Sequence, residues 1–169
     1  MALTKINFTG QGVLPHSKMP SDSVLQTKFH SWTTQTMVTS TSYTDITDSS
    51  FTFTPKLASS LLVISYSIPY FTYSDTHYSG GSVDINVDGS NIMQSTAQYE
   101  LYASWAGSGA TSNALYSRAS KDVSINASNT NAKTIKLQAQ VYDTNNSMSI
   151  RINESGNYRS SIKVVEIAA

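Results

Sequence analysis

An all-β fold is predicted by three features of this 169-residue sequence. Apolar and polar residues alternate in several runs, as they do along extended strands. Turn pairs such as Asp88-Gly89 close those runs. No segment carries the 3.6-residue period of an amphipathic helix. The runs read as roughly eight to ten strands, spaced as in a β-sandwich or barrel. The length suits one domain.

Residues 1–22 show no sustained period. Gly10, Gly12, Pro15 and Pro20 punctuate them, and Leu3, Ile6, Phe8, Val13 and Leu14 are scattered between. They read as an extended N-terminal arm that orders against a partner. The alternative is a frayed terminus, although a solvated tail seldom carries so many apolar residues. The sandwich is expected over residues 23–169.

Val24, Leu25 and Phe29 mark a strand over residues 23–31, and a weaker one follows at 35–40. Residues 43–47 lead through Asp48 into the most apolar part of the chain, residues 50–73. There Phe51 and Phe53 alternate with Thr52 and Thr54 until Pro55 ends the run. After a short connection, Leu62, Ile64, Tyr66, Ile68 and Tyr70 share one face. The opposite face begins apolar with Leu61 and Val63 and then turns to Ser65 and Ser67. This pattern fits a central strand, with regular pairing expected to stop at Pro69.

A polar loop is expected over 74–81. Val83, Ile85 and Val87 then alternate into Asp88-Gly89, and a two-residue turn would set Ile85 opposite Ile92. Ala97, Tyr99, Leu101, Ala103 and Trp105 suggest a further alternating face, before a small-residue loop at 107–113. Residues 114–125 are ambiguous, one or two short strands. A turn at 126–131 precedes the cleanest alternation, Ile135, Leu137, Ala139 and Val141. Asn145-Asn146 offers a turn before Met148, Ile150 and Ile152. In the last strand Ile162 and Val164 share one face, and Val165 and Ile167 the other. Such a strand wants cover on both sides; one cover could be a neighbouring subunit.

Composition excludes several functions. Hydrophobic residues make up 39% and charged residues 13%, against about 25% charged in a typical soluble domain. The formal net charge is zero, so no basic nucleic-acid footprint exists. With no cysteine, disulfide frameworks and thiolate zinc sites are excluded. No signal peptide and no membrane-spanning run is expected.

Asp84 to Gly89 resembles the start of a calcium loop, but Ser95 stands where a bidentate Glu is needed. A strand face ending in a turn is the better reading. His16, His30 and His77 are far apart, and neither H-E-x-x-H nor G-x-S-x-G occurs. No phosphate-cradling glycines are present. Neither catalysis, a metal nor a cofactor is expected. The candidate binding surface is aromatic: Tyr70, Phe71, Tyr73, His77 and Tyr78, with Trp105 elsewhere. Aromatics beside amides and hydroxyls suit sugar rings or a protein interface.

Several segments together resemble a family of bacteriophage virion proteins of the tail-fibre, head-fibre or capsid-decoration type. They are the opening MALTKI, then KMPSDSVLQ, TSYTDITDSSFTFTPKLASSLLVISYSI, VDINVDGSNI, AKTIKLQAQ and the closing SSIKVVEIAA. Where that family usually has a glycine, Asp48 stands, and residues 99–125 match none of its segments. The resemblance implies a jelly-roll-like sandwich similar to tumour-necrosis-factor-type domains, assembled as a homotrimer around a threefold axis. Val165 and Ile167 are then candidate trimer contacts.

The expected role is a non-enzymatic capsid decoration (cement) or head-fibre protein, exposed on the virion and held by its arm to the major capsid protein or another virion protein. The chain has no heptad or β-helix repeat from which to build a long shaft. The alternative is a tail-fibre or tail-tip module recognising host-surface glycans. Nucleic acid and membrane insertion are not expected.

Overall fold

The computed structural model describes residues 15–76, 78–93, 100–104, 113–144, 147–155 and 158–169. Among them lie thirteen strands and the 3-10 turn His16–Lys18. The strands are β1 (Val24–Trp32), β2 (Thr36–Val38), β3 (Thr44–Asp45), β4 (Phe51–Phe53), β5 (Leu61–Ser74), β6 (Tyr78–Ser79), β7 (Gly81–Val87), β8 (Ser90–Asn91), β9 (Ala103–Ser104), β10 (Asn113–Asn126), β11 (Lys133–Val141), β12 (Ser149–Ile152) and β13 (Ser160–Ile167).

They form two antiparallel sheets that pack as a sandwich. The larger has the order β1-β13-β5-β12-β2, with β10 also on β5; the smaller has the order β3-β11-β7-β8, with β4 also on β11. A separate two-stranded ribbon joins β6 to β9. Leu62, Ile64, Ile68, Ile162 and Val164 from the larger sheet meet Val83, Ile85, Ile135, Leu137 and Ala139 from the smaller, and all ten are fully buried. The period-2 alternation of these strands therefore decides the core, one inward side chain in two.

β5 is the centre of the larger sheet. Along one edge it pairs with β10 throughout, from Leu61↔Asn126 to Ser74↔Asn113. Along the other it pairs with β13 from Leu61 to Ser67 and with β12 from Tyr70 to Tyr73. The expected stop at Pro69 is thus corrected: the strand runs on to Ser74. Pro69 falls where one partner gives way to the next, so its missing N–H forfeits no ladder bond.

The ambiguous segment 114–125 is also resolved, as one 14-residue strand. The loop expected over 74–81 instead includes β6. Of the alternating face expected from Ala97 to Trp105, the described part holds a turn at Glu100–Leu101 and short strand β9.

The Asp88-Gly89 hairpin forms as expected. Both residues have positive φ, 51° and 90°, and Ile92 N–H donates to Ile85 O at 2.9 Å. The calcium-like segment is strand and turn, with Asp84 Oδ1 accepting from Met93 N–H and Asp88 Oδ1 from Thr134 N–H. Asp48 has φ 59°. That left-handed conformation is one glycine adopts without strain. Gly81 is held closely: a Cβ there would overlap the Gln140 carbonyl oxygen.

One buried carboxylate ties the connection between β4 and β5 to the end of β13. Glu166 is fully buried. It accepts hydrogen bonds from Gln26 Nε2 at 2.6 Å, Ser60 Oγ at 2.7 Å, Lys56 N–H at 2.7 Å and Leu57 N–H at 3.0 Å. Burial pushes its pKa up, but the donors, led by Ser60 and Gln26, together outweigh it and hold the carboxyl below the usual glutamate range. A depressed native pKa gives stability that is complete above the unfolded-state value and lost as pH falls through the native one. Glu166→Gln is expected to cost about 1.5–3 kcal/mol at neutral pH. The gap to the unaltered chain should narrow in acid, which urea melts of both chains at neutral and acidic pH will measure. A gap independent of pH would contradict this account.

Candidate functional site

The two outer faces of the sandwich differ in chemistry. On the smaller sheet the outward side chains bond to one another. Asp45 accepts from Lys136 Nζ at 2.7 Å and from Gln138 Nε2 at 2.6 Å. Asn86 Nδ2 donates to Asn91 at 2.6 Å and to Gln138 at 3.2 Å, and Gln140 Nε2 donates to Ser82 Oγ at 3.0 Å. The Lys136 and Gln138 hydrogen bonds hold the Asp45 carboxyl below its ordinary pKa. This face is polar and largely satisfied internally.

The larger sheet is apolar outside at both ends. Because Leu62 and Ile64 point inward, the odd-numbered residues of β5 point outward. At one end Val63 pairs with Val165 and Leu61 with Ile167, which pairs in turn with Val24. Leu61, Val63, Val165 and Ile167 are half-buried, while Val24 and nearby Phe29 are 57% and 62% exposed. Val165 and Ile167 therefore lie in a continuous apolar strip spanning β1, β13 and β5.

At the other end the outward row is Met37, Arg151, Phe71 and Tyr116, set by the β2–β12–β5–β10 register. The Tyr116 ring lies 4.4 Å from that of Phe71, centroid to centroid, and Tyr73 stacks beside Phe71 at 6.5 Å. The Arg151 guanidinium sits 5.4 Å from the Phe71 centroid, within cation–π range. It also donates to Glu154 Oε1 at 2.7 Å.

Next to this row is a cleft of about 360 Å³, lined by Pro69, Tyr70, Tyr116, Ser117, Arg118, Glu154 and Tyr158. Chain pairing brings these distant residues together. Tyr116 to Arg118 lie on β10 opposite Pro69 to Phe71. The β12–β13 connection brings Glu154 and Tyr158, and Asn153 N–H anchors it to Pro69 O at 3.3 Å.

The sequence-predicted aromatics have separate places. Tyr70 belongs to the buried core and also borders the cleft; Phe71 is buried beneath Tyr116. Tyr73 is half-exposed, its hydroxyl donating to Asp75 at 2.6 Å. Tyr78 packs on the core, edge-on to Tyr142. His77, Trp105 and the residues expected to form the arm, Leu3, Ile6, Phe8, Val13 and Leu14, lie outside the described residues. Sequence reasoning missed Tyr116, Arg118, Glu154 and Tyr158. Only the register of β10 against β5 brings the first two into this surface, and segment 114–125 has too weak an alternation to fix it.

Among the described residues, no group of three or more His, Asp or Glu side chains is placed to hold a metal. No family model and no curated protein matches this chain. The arrangement can bind by stacking and hydrogen bonding.

Tyr116 is 62% exposed yet covers Phe71. Tyr116→Ala is expected to cost about 1 kcal/mol through the lost ring pair. Ser124→Ala, on the same face of the same strand, should stay within about 0.5 kcal/mol. Chemical denaturation of the two variants makes the comparison; equal effects would show that the ring pair carries no stability.

Proposed function

We propose that this chain is a non-enzymatic structural protein of a bacteriophage particle, of the capsid decoration or head-fibre type. In this reading it forms a homotrimer through the outer face of its larger sheet and is held to the major capsid protein or another virion protein by residues 1–22. One observation carries the self-association: the strip of Val24, Leu61, Val63, Val165 and Ile167 is apolar and partly exposed, whereas most side chains of the opposite face are polar and bonded to one another. An apolar strip of this kind marks an interaction surface, and a shared strip on identical subunits closes by rotational symmetry.

The strand orders β1-β13-β5-β10 and β4-β11-β7-β8 support a jelly roll, in which the chain alternates between sheets. The virion assignment rests on the segments from MALTKI to SSIKVVEIAA that resemble phage proteins. The attachment role rests on the apolar residues of the arm. Its described part, residues 15–22, meets the sandwich where Asp22 N–H donates to Ala168 O at 2.8 Å.

Light scattering of the purified chain is expected to give three times its 18.4 kDa mass. Val165→Asp should reduce that to a single chain while leaving the β-sheet circular dichroism signal intact. A monomeric unaltered chain would remove the trimer. Deleting residues 1–22 should leave the trimer and abolish its joining to particles; normal decoration by the truncated chain would overturn the arm's role.

The cleft favours a second reading, a tail-fibre or tail-tip module that recognises host-surface glycans. Here the purified protein binds host-cell polysaccharide, which a simple cement would not do.

A further inference from the structure

We infer that the cleft between β10 and the β12–β13 connection is a binding site for an acidic sugar, a hexuronate or a similar carboxylated ring, with Arg118 receiving the carboxylate. The inference rests on the glycan-binding reading above and deepens it.

Charge is the first ground. Two charged side chains line the cleft, Arg118 and Glu154. Glu154 is already committed: Oε1 accepts from Arg151 at 2.7 Å and Oε2 from Gln35 Nε2 at 3.0 Å. Arg118 has a different partner, the neutral Ser67 hydroxyl, 2.9 Å from one terminal nitrogen. That bond orients the guanidinium without neutralising it. A guanidinium carries five N–H donors in a planar fork, so donors remain for a two-oxygen acceptor. Among the described residues, Arg118 makes no ion pair. With Glu154 paired to Arg151, Arg118 is the charged lining group left to meet an anion.

Shape and lining are the second ground. Tyr116 and Tyr158 are 62% and 44% exposed, and they border the same hollow as Pro69. A sugar ring presents C–H groups to such flat surfaces and hydroxyls to their phenolic rims. A volume of about 360 Å³ lies at the small end of ligand pockets, the scale of a ring or two rather than a long chain. One uncompensated cation suits a single carboxylate. A phosphate dianion is better served by several cations or a cradle of backbone N–H groups.

The test uses the full chain and three probes: methyl β-glucuronide, methyl β-glucoside and acetate, each followed by chemical-shift titration. Host polysaccharide binding is measured alongside. The glucuronide is expected to bind about tenfold more tightly than either other probe, the effect of one charge-assisted contact added to the ring contacts. Arg118→Gln should abolish the preference and leave the glucoside unchanged. Lys163→Gln, elsewhere on the same outer face, should alter neither. Equal binding of glucuronide and glucoside would overturn the role of Arg118 and leave the glycan reading standing. Acetate binding as tightly as the glucuronide would reduce the site to an anion contact and overturn the sugar. Polysaccharide binding without any monosaccharide response would overturn this cleft alone; no binding of any kind would overturn both the inference and the glycan reading.

Discussion

Everything in the larger sheet hangs on β5. It is bonded along both edges, and it supplies Leu62, Ile64, Tyr66 and Ile68 to the core from one face. A strand in that position cannot slip by one residue without turning its whole inward row outward. Its register therefore fixes β10, β12 and β13 together, and through them β1 and β2. The outer face follows as a consequence, because each outward residue is the neighbour of an inward one.

The partner change along β5 creates the cleft. β13 leaves at Ser67 and β12 takes over at Tyr70, with Pro69 between them. Asn153 and Glu154, just after β12, and Tyr158, just before β13, lie at this seam. Asn153 is fully buried, with φ 56°. Its Nδ2 donates to Thr34 O at 3.2 Å and its Oδ1 accepts from Ser160 Oγ at 2.9 Å. The result places Glu154 and Tyr158 beside Pro69 and opposite β10. A fold requirement, the handover between two short strands, thus leaves a lined hollow on a sheet that would otherwise be smooth.

The core was legible in the sequence and the surface much less so. Alternation at Leu62–Tyr70 and Ile135–Val141 locates inward residues directly, because burial and strand period coincide there. The Asp88-Gly89 turn is equally local, needing only two residues that accept positive φ. Pro69 misleads because a proline reads as a stop in isolation, and only knowledge of both neighbours shows that no donor is needed. β10 is obscure for a related reason. It lies at an edge, so its inward residues Ala119, Val123 and Ile125 are only partly covered, and selection for apolar side chains is weak. The cleft could not be read at all before that strand was placed. The Glu166 contacts span more than a hundred residues of sequence, and no local pattern announces such a bond.

The bonding where residues 15–22 meet the sandwich also has a mechanical meaning. Asp22 N–H donates to Ala168 O, and Ala168 N–H to Ser23 O at 2.9 Å; from there β1 runs antiparallel along β13 as far as Trp32↔Ser160. A pull at Asp22 along the strand direction loads this ladder in shear, so many hydrogen bonds must stretch together before any one yields. The same force directed across the sheet would peel them off in turn. β13 is itself bonded to β5, so tension entering at Asp22 is carried into the middle of the sheet. The junction is thus strong in one direction and weak in another, a property of bond geometry that equilibrium stability alone does not express.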